Sequence, residues 1–167
     1  ANRYMVDYTS RRNPANGMSK HIQFESVLSL TGSNADVRYP IQASKHGIVL
    51  NSLYNALAKK ANLAPLPVVN TADVAGAGVE KTAEALWNAK GKALVVSGSN
   101  NPNHQVIANA INLILDSYSS TININETVNK YQGNDLAIEN FVTGLIAGAY
   151  EGVIFYNTNL VYSHPKG

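Results

Sequence analysis

The sequence is constrained most by its alternation of short apolar runs with longer amphipathic stretches. Residues 21–27 alternate in polarity, which is typical of a strand with one buried face. Residues 92–97 form a continuous apolar run next to glycine, which favours a strand buried on both faces. The pattern thus predicts strands at 21–27, 92–97, 121–124 and 153–156, and a shorter extended piece at 37–41.

Between these runs, apolar residues recur at three- and four-residue steps, as they do on one face of a helix. The stripes are Leu50, Leu53, Leu57 and Ala61, then Val79, Ala83, Leu86 and Trp87, then Ile107, Ala110, Ile111 and Ile114, and finally Ile138, Phe141, Val142, Leu145 and Ala149. We expect the first of these helices to be capped by Ser44. Strands that alternate with helices favour a parallel sheet covered on both faces. The sequence therefore predicts an α/β fold, a Rossmann-like three-layer domain with a mostly parallel sheet of about four strands flanked by helices.

The domain organisation follows from the length and from the polar start of the chain. Its 167 residues suit one domain. Residues 1–20 are polar and rich in turn formers, so we interpret them as an N-terminal arm. Residues 21–167 then form a single α/β domain. Because the chain begins with Ala1 rather than methionine, we interpret it as an excised piece of a longer subunit.

Composition excludes several classes of function. The chain has no cysteine, so it cannot supply cysteine ligands to iron–sulfur clusters, thiolate zinc sites or a thiol nucleophile. The net charge of +2 and the scattered basic residues do not predict nucleic-acid binding, and the doublet Arg11-Arg12 is interpreted as solvated surface. No apolar run approaches the length of a membrane span. The histidines show no metal-ligand spacing, so neither a metal site nor a catalytic residue is assigned.

In a parallel sheet, ligands usually bind beyond the carboxyl ends of the strands. This rule directs attention to the loops at 28–36, 98–103, 125–135 and 157–165. The loop at 98–103 leads into a helix, where free N–H groups can hold a phosphate, although Asn101 or Asn103 can instead cap that helix. Asp36 can accept hydrogen bonds from ribose or guanine, cap a turn or pair with Arg38.

Several of these loops carry motifs in a specific order. Residues 11–38 contain R-R-x-P, then M, then E-S, then S-x-T-G-x-x-A-D-x-R. Residues 91–98 read G-x-A-L-V-V-x-G and are followed by A-x-A-I-N at 108–112, and the end of the chain is similar to an N-P-V-Y-x-x-P element. Together these segments resemble the molybdopterin oxidoreductase-like, iron–sulfur-binding subunit of bacterial alternative complex III, a quinol-oxidising membrane assembly. The resemblance extends from about residue 4 to residue 165.

The wider relatives of that subunit are molybdopterin enzymes of the dimethyl sulfoxide reductase type, whose corresponding loops contact the guanine dinucleotide arms of the cofactor. The resemblance implies vestigial cofactor-binding positions at Thr31, Asn34, Asp36, Ser99, Asn100 and Asn159. The sequence departs from the cofactor-binding pattern where those enzymes have P-G-T-D, because this chain has Gln42-Ala43-Ser44-Lys45. A lysine cannot accept the hydrogen bonds of guanine as a carboxylate does. Leu160 also replaces the proline of N-P-V-Y.

The resemblance therefore implies a structural domain without a cofactor, part of an oxidoreductase but not catalytic by itself. Iron–sulfur clusters are expected elsewhere in the parent subunit, and its partners are other subunits of a membrane-bound respiratory complex. We expect a peripheral position on the periplasmic side of a bacterial inner membrane, without direct membrane insertion. Two alternatives remain: a domain that binds molybdopterin guanine dinucleotide in an active oxidoreductase, or an unrelated α/β module that binds a nucleotide or another small molecule.

Overall fold

The computed structural model describes residues 2–68, 76–126 and 133–165. The chain divides into two compact units, Ala1–Glu126 and Thr127–Gly167, and each is described by itself. The elements of the first unit are α1 (Asn2–Ser10), β1 (Ile22–Glu25), α2 (Leu30–Ser33), β2 (Val37–Pro40), α3 (His46–Lys60), α4 (Gly76–Asn88) and α5 (Pro102–Ile114). Short 3₁₀ helices lie at Pro14–Asn16, Ala43–Lys45 and Ser117–Ser119. The second unit contains α6 (Asp135–Ile146) and α7 (Leu160–Ser163).

A parallel pair of strands, β1 and β2, lies near the start of the first unit, with Ile22 opposite Val37. The carbonyl of His21 accepts a hydrogen bond from the N–H of Val37 at 3.2 Å, and the carbonyl of Glu25 accepts one from the N–H of Ile41 at 3.0 Å. The N–H and C=O of one strand residue point to the same edge, and those of the next residue point to the opposite edge. The main-chain groups of residues 22 and 24 therefore face away from β2.

The core of the first unit lies between helices, because α3 contacts both α4 and α5. Its buried apolar side chains are Val49, Leu53, Leu57, Val79, Ala83, Ala93, Ile111, Ile114 and Leu115. The periodic stripes predicted four helices, and α3, α4, α5 and α6 confirm them. The predicted cap is wrong: α3 begins at His46, after the 3₁₀ turn that contains Ser44.

The predicted fold class is wrong. Among the described residues the structure is mostly helical and has a single two-stranded sheet, not a Rossmann-like three-layer domain with about four strands. The strand predicted at 21–27 is confirmed as β1, and the extended piece at 37–41 is confirmed as β2. The other three predicted strands do not join a sheet.

Residues 93–97 belong to no helix or strand, and side chains rather than a neighbouring strand take their hydrogen bonds. The N–H of Val95 donates to Asn112 Oδ1 at 2.8 Å, and its carbonyl accepts from Asn112 Nδ2 at 2.7 Å. The carbonyl of Ala93 accepts from the hydroxyls of Ser117 and Thr121, at 2.9 and 3.0 Å. Because α5 and the turn after it supply these polar groups, one edge of the run is satisfied without a sheet.

The predicted strands at 121–124 and 153–156 fail for different reasons. Thr121 and Ile122 both donate their N–H groups to the carbonyl of Ser117, so the chain turns around that carbonyl instead of extending. In the second unit, the side chains of Ile154 and Tyr156 are 94% and 90% exposed. A strand also needs a neighbouring strand for its main-chain hydrogen bonds, and the described residues of this unit contain none.

The first twenty residues, predicted as an arm, contain α1 and the turn at Pro14–Asn16. The hydroxyl of Tyr8 on α1 lies 2.8 Å from Nδ1 of His21, so the helix contacts the start of β1. The boundaries predicted for the arm and for one domain over residues 21–167 stay predictions.

In the second unit, aromatic side chains pack on α6. The ring of Phe141 lies 5.4 Å from the ring of Tyr150 and 6.5 Å from that of Phe155, measured between centroids. Gly144 allows this packing, since a Cβ at that position would lie 2.7 Å from the Tyr150 ring. Part of the predicted loop at 125–135, residues 127–132, lies outside the described residues. No helix in the described ranges has the length and apolar character needed to cross a membrane.

Candidate functional site

The charged residues of the 11–38 motifs bind one another. The guanidinium of Arg12 forms a two-pronged ion pair with Asp36, with Nη1 at 2.6 Å from Oδ2 and Nη2 at 2.8 Å from Oδ1. The N–H of His21 donates to the same Oδ2 at 2.7 Å. Arg12 also donates to the carbonyls of Ser19 and Asn34. Both oxygens of Asp36 are thus engaged, and Arg12 joins the chain before β1 to the chain before β2.

A second carboxylate, Glu25, is buried at the end of β1. Its Oε2 accepts from the hydroxyl of Ser29 at 2.6 Å, and its Oε1 accepts from Nε of Arg38 at 2.5 Å. The Ser29 hydroxyl in turn accepts from the N–H of Gly32 at 2.9 Å, which caps α2. We call these two sets of contacts, Arg12 with Asp36 and Glu25 with Ser29 and Arg38, the motif network.

These contacts lower the pKa of both carboxylates. The hydrogen bond from Arg12, followed by that from the N–H of His21, holds the pKa of Asp36 well below its usual range. The hydrogen bond from Ser29, followed by that from Arg38, lowers the pKa of Glu25. Hydrogen bonds to the ionised form stabilise it, so both groups are carboxylates at neutral pH and neither is suited to act as a general acid.

The six predicted cofactor-binding residues lie on different elements, five in the first unit and one in the second. Thr31, Asn34 and Asp36 lie on or just after α2, at the motif network. Asn34 donates its side-chain amide to the carbonyl of Leu30 at 2.7 Å. Asn159 lies in the second unit, where its side chain caps α7 by accepting from the N–H of Tyr162 at 3.1 Å.

Ser99 and Asn100 precede α5, where the sequence left phosphate binding or helix capping open. Asn101 is the cap, because its Oδ1 accepts from the N–H of Asn103 at 2.9 Å. The hydroxyl of Ser99 lies 2.8 Å from Nδ1 of His104 and accepts from the N–H of Asn101 at 3.1 Å. Asn100 is exposed. A phosphate contact in this loop stays a prediction.

The first unit also contains a cleft of about 980 Å³. It runs between β1 on one side and the extended run 92–99 on the other, above side chains of α3 and α4. Its lining is mainly apolar, with cationic side chains from Arg11, Lys20 and Lys92. Of the six predicted residues, Ser99 alone lines this cleft.

Two positions that the resemblance associates with molybdopterin guanine dinucleotide, Asp36 and Lys45, have the following surroundings in this structure. Asp36 binds the guanidinium of Arg12 and the N–H of His21. Lys45, which stands where the enzymes have an aspartate, occupies the cap position of α3 without making a side-chain cap bond. Nor does any cluster of three or more histidine, aspartate or glutamate side chains in the described residues have the arrangement of a metal site.

Sequence reasoning missed the partners of both carboxylates. Asp36 was expected to cap a turn, pair with Arg38 or bind a ligand, but its partner is Arg12. Arg12 was interpreted as solvated surface, yet its side chain is 17% exposed. The charged positions of the R-R, E-S and A-D-x-R motifs could have suggested one network, because all of them lie within 28 residues of the sequence.

Comparison with known proteins adds no family. The sequence matches no protein-family model and no curated protein.

Proposed function

We propose that this chain is a structural domain without a cofactor, which belongs to the iron–sulfur electron-transfer subunit of a quinol-oxidising respiratory complex. Its role is to hold surfaces for assembly on the periplasmic side of the membrane, while clusters elsewhere in the subunit transfer electrons. The subunit class comes from the motif resemblance, and the structural role from the use that the chain makes of those motifs.

The observation that carries the proposal is the motif network. In the first motif block, Arg12 binds Asp36, and Ser29 and Arg38 bind Glu25, at 2.5–2.8 Å. A ligand that needed the Asp36 carboxylate would have to displace Arg12, a bidentate charged partner of the kind that binds carboxylates most strongly. The motif residues therefore stabilise the chain segments that lead into and out of β1 and β2, rather than present groups to a ligand.

Exposed apolar side chains support a role in assembly. On α1, the side chains of Tyr4, Met5 and Val6 are 59%, 66% and 65% exposed. In the second unit, Val161 and Tyr162 of α7 are 76% and 89% exposed. Apolar residues grouped on one short element mark contact surfaces more often than isolated ones do.

Elemental analysis tests the proposal. The chain is produced in a bacterium that synthesises the molybdenum cofactor, and the purified protein is analysed for molybdenum and for pterin fluorescence after oxidation. A functional molybdoenzyme produced in the same host is the positive control. We expect neither molybdenum nor pterin in stoichiometric amount, whereas one molybdenum per chain would support the cofactor-binding alternative and contradict the proposal.

A further inference from the structure

The cleft in the first unit is lined by β1 and by residues 92–99, and along both segments some main-chain groups have no hydrogen-bond partner within residues 2–68, 76–126 and 133–165. The ladder to β2 uses residues 21, 23 and 25, so the N–H and C=O groups of Ile22 and Phe24 point to the opposite edge of β1. Both residues line the cleft. Strand edges of this kind are templates for pairing with another chain.

The opposite wall of the cleft has the same property. In the run 93–97, the bonds to α5 and the following turn are made by Ala93, Val95 and Ser97, all odd-numbered. Exposure alternates along 93–97 as it does in an extended chain, so the main chain of Leu94 and Val96 points to the other edge. Both residues line the cleft. Their side chains are 48% and 78% exposed.

The charged side chains around the cleft favour a negatively charged ligand. Arg11, Lys20 and Lys92 are exposed and have no acidic partner in the described part of the chain. The carboxylates that also line the cleft, Asp7 and Glu25, are both engaged within the chain. The rim is therefore positive above an apolar floor that includes Ile41, Leu50, Leu53 and Leu86.

We propose that this cleft binds an extended, acidic peptide segment of a partner protein, which adds as a strand to the free edge of β1. The alternating side chains of such a segment would place apolar residues on the floor and carboxylates toward the cationic rim. The inference rests on the assembly role proposed above, for which it names the kind of partner. A nucleic acid would use the cations but leave the unpaired N–H and C=O groups of both edges unsatisfied, so we favour the peptide.

The experiment uses fluorescent synthetic peptides of about eight residues, long enough to cover the four residues of β1. The first probe alternates valine and glutamate. Two further probes carry N-methyl groups on alternate residues, one in each register, which removes the donors of one edge without changing charge. A thymidine oligonucleotide of similar charge is the polyanion control. Binding is measured by fluorescence anisotropy on the intact chain.

We expect the parent peptide to bind and at least one of the two N-methylated peptides to lose binding. The oligonucleotide should bind more weakly than the parent peptide. Hydrogen exchange at the amides of Ile22 and Phe24 should slow when the parent peptide is bound. The combined changes Lys20→Glu and Lys92→Glu should weaken binding about tenfold or more. The matched pair Lys60→Glu and Lys81→Glu, which alters net charge equally outside the cleft, should leave it within about twofold.

Equal binding by parent and both N-methylated peptides, tighter binding by the oligonucleotide, or no binding of the parent at millimolar concentration would each overturn the peptide proposal. None of these outcomes changes the molybdenum content, so the structural role proposed above is tested separately.

Discussion

Asp36 shows how a motif residue that looks available for a ligand can be used by the fold itself. Its carboxylate receives three hydrogen bonds, two from the guanidinium of Arg12 and one from the N–H of His21. Since these bonds stabilise the ionised form, the pKa of Asp36 in the folded chain lies well below its value in the unfolded chain. Protonation of this one group must therefore destabilise the fold.

The substitution Asp36→Asn tests that consequence. A lowered folded-state pKa gives stability that is fully present above the unfolded pKa of about 3.9 and is lost as the pH falls through the folded value. Wild-type protein should therefore lose free energy of unfolding more steeply than Asp36→Asn as the pH is lowered below about 4. Urea denaturation at a series of pH values measures this difference.

A matched control for that experiment is Asp116→Asn. The Asp116 carboxylate is 59% exposed and lies 3.2 Å from the amine of Lys90, so solvent screens its ion pair. We expect its pH profile to follow that of wild-type protein. Parallel profiles for wild-type protein and Asp36→Asn would show that the contacts of Asp36 do not stabilise the folded state.

Gly32 is a second residue that the motif network requires, because it lies against the Glu25 carboxylate. A Cβ at this position would overlap the carboxylate of Glu25, which Ser29 and Arg38 hold in place. Gly32→Ala should lower the free energy of unfolding by about 1–3 kcal/mol, the usual cost of overpacking. Gly98→Ala is the control, because a Cβ there meets no atom within 4 Å, and its effect should stay within about 1 kcal/mol. Equal effects of the two substitutions would contradict the network.

Among the elements, the helices were predictable and most of the strands were not. An amphipathic helix satisfies its main-chain hydrogen bonds within the segment, so the apolar stripe alone predicted α3, α4, α5 and α6. A strand needs a partner that the local pattern does not specify. The run at 92–97 has the composition of a buried strand, but Asn112, Ser117 and Thr121 occupy one of its edges.

Asn112 is the residue that substitutes for a neighbouring strand. Its buried amide both accepts from and donates to the main chain of Val95. Asn112→Ala should leave both groups of Val95 without a partner and lower the free energy of unfolding by about 1–3 kcal/mol. It should also speed hydrogen exchange at the Val95 amide.

The control lies on the same helix. Asn109 is exposed on α5, so Asn109→Ala should change stability by no more than about 0.5 kcal/mol. If Asn112→Ala left both the stability and the Val95 exchange rate unchanged, the side-chain pairing would not explain why this run stays out of the sheet.

Part of the candidate site was also predictable at this scale. The motifs identified Asp36 and the loop before α5 as positions of interest, and the asparagine cap was one of the alternatives that the sequence allowed. The Arg12 partner could not be read locally, because it reaches Asp36 across 24 positions of the chain. The cleft was not foreseen, since it depends on two extended segments that lie side by side without pairing.

For the whole molecule, four of the six predicted cofactor-binding residues make hydrogen bonds within the chain. Asp36, Asn34 and Ser99 bond within the first unit, and Asn159 caps a helix of the second. Because the chain has no cysteine, it supplies no cysteine ligand to an iron–sulfur cluster. The central proposal is that its motif residues hold the fold and leave no guanine site.

Isothermal titration calorimetry of the intact chain with guanosine diphosphate, which carries the guanine and diphosphate groups of the dinucleotide arm, tests this claim most directly. We expect no saturable heat up to millimolar nucleotide, for wild-type protein and for Asp36→Asn alike, and no rise in Tm with added nucleotide. Stoichiometric binding by wild-type protein that is weakened in Asp36→Asn would contradict it.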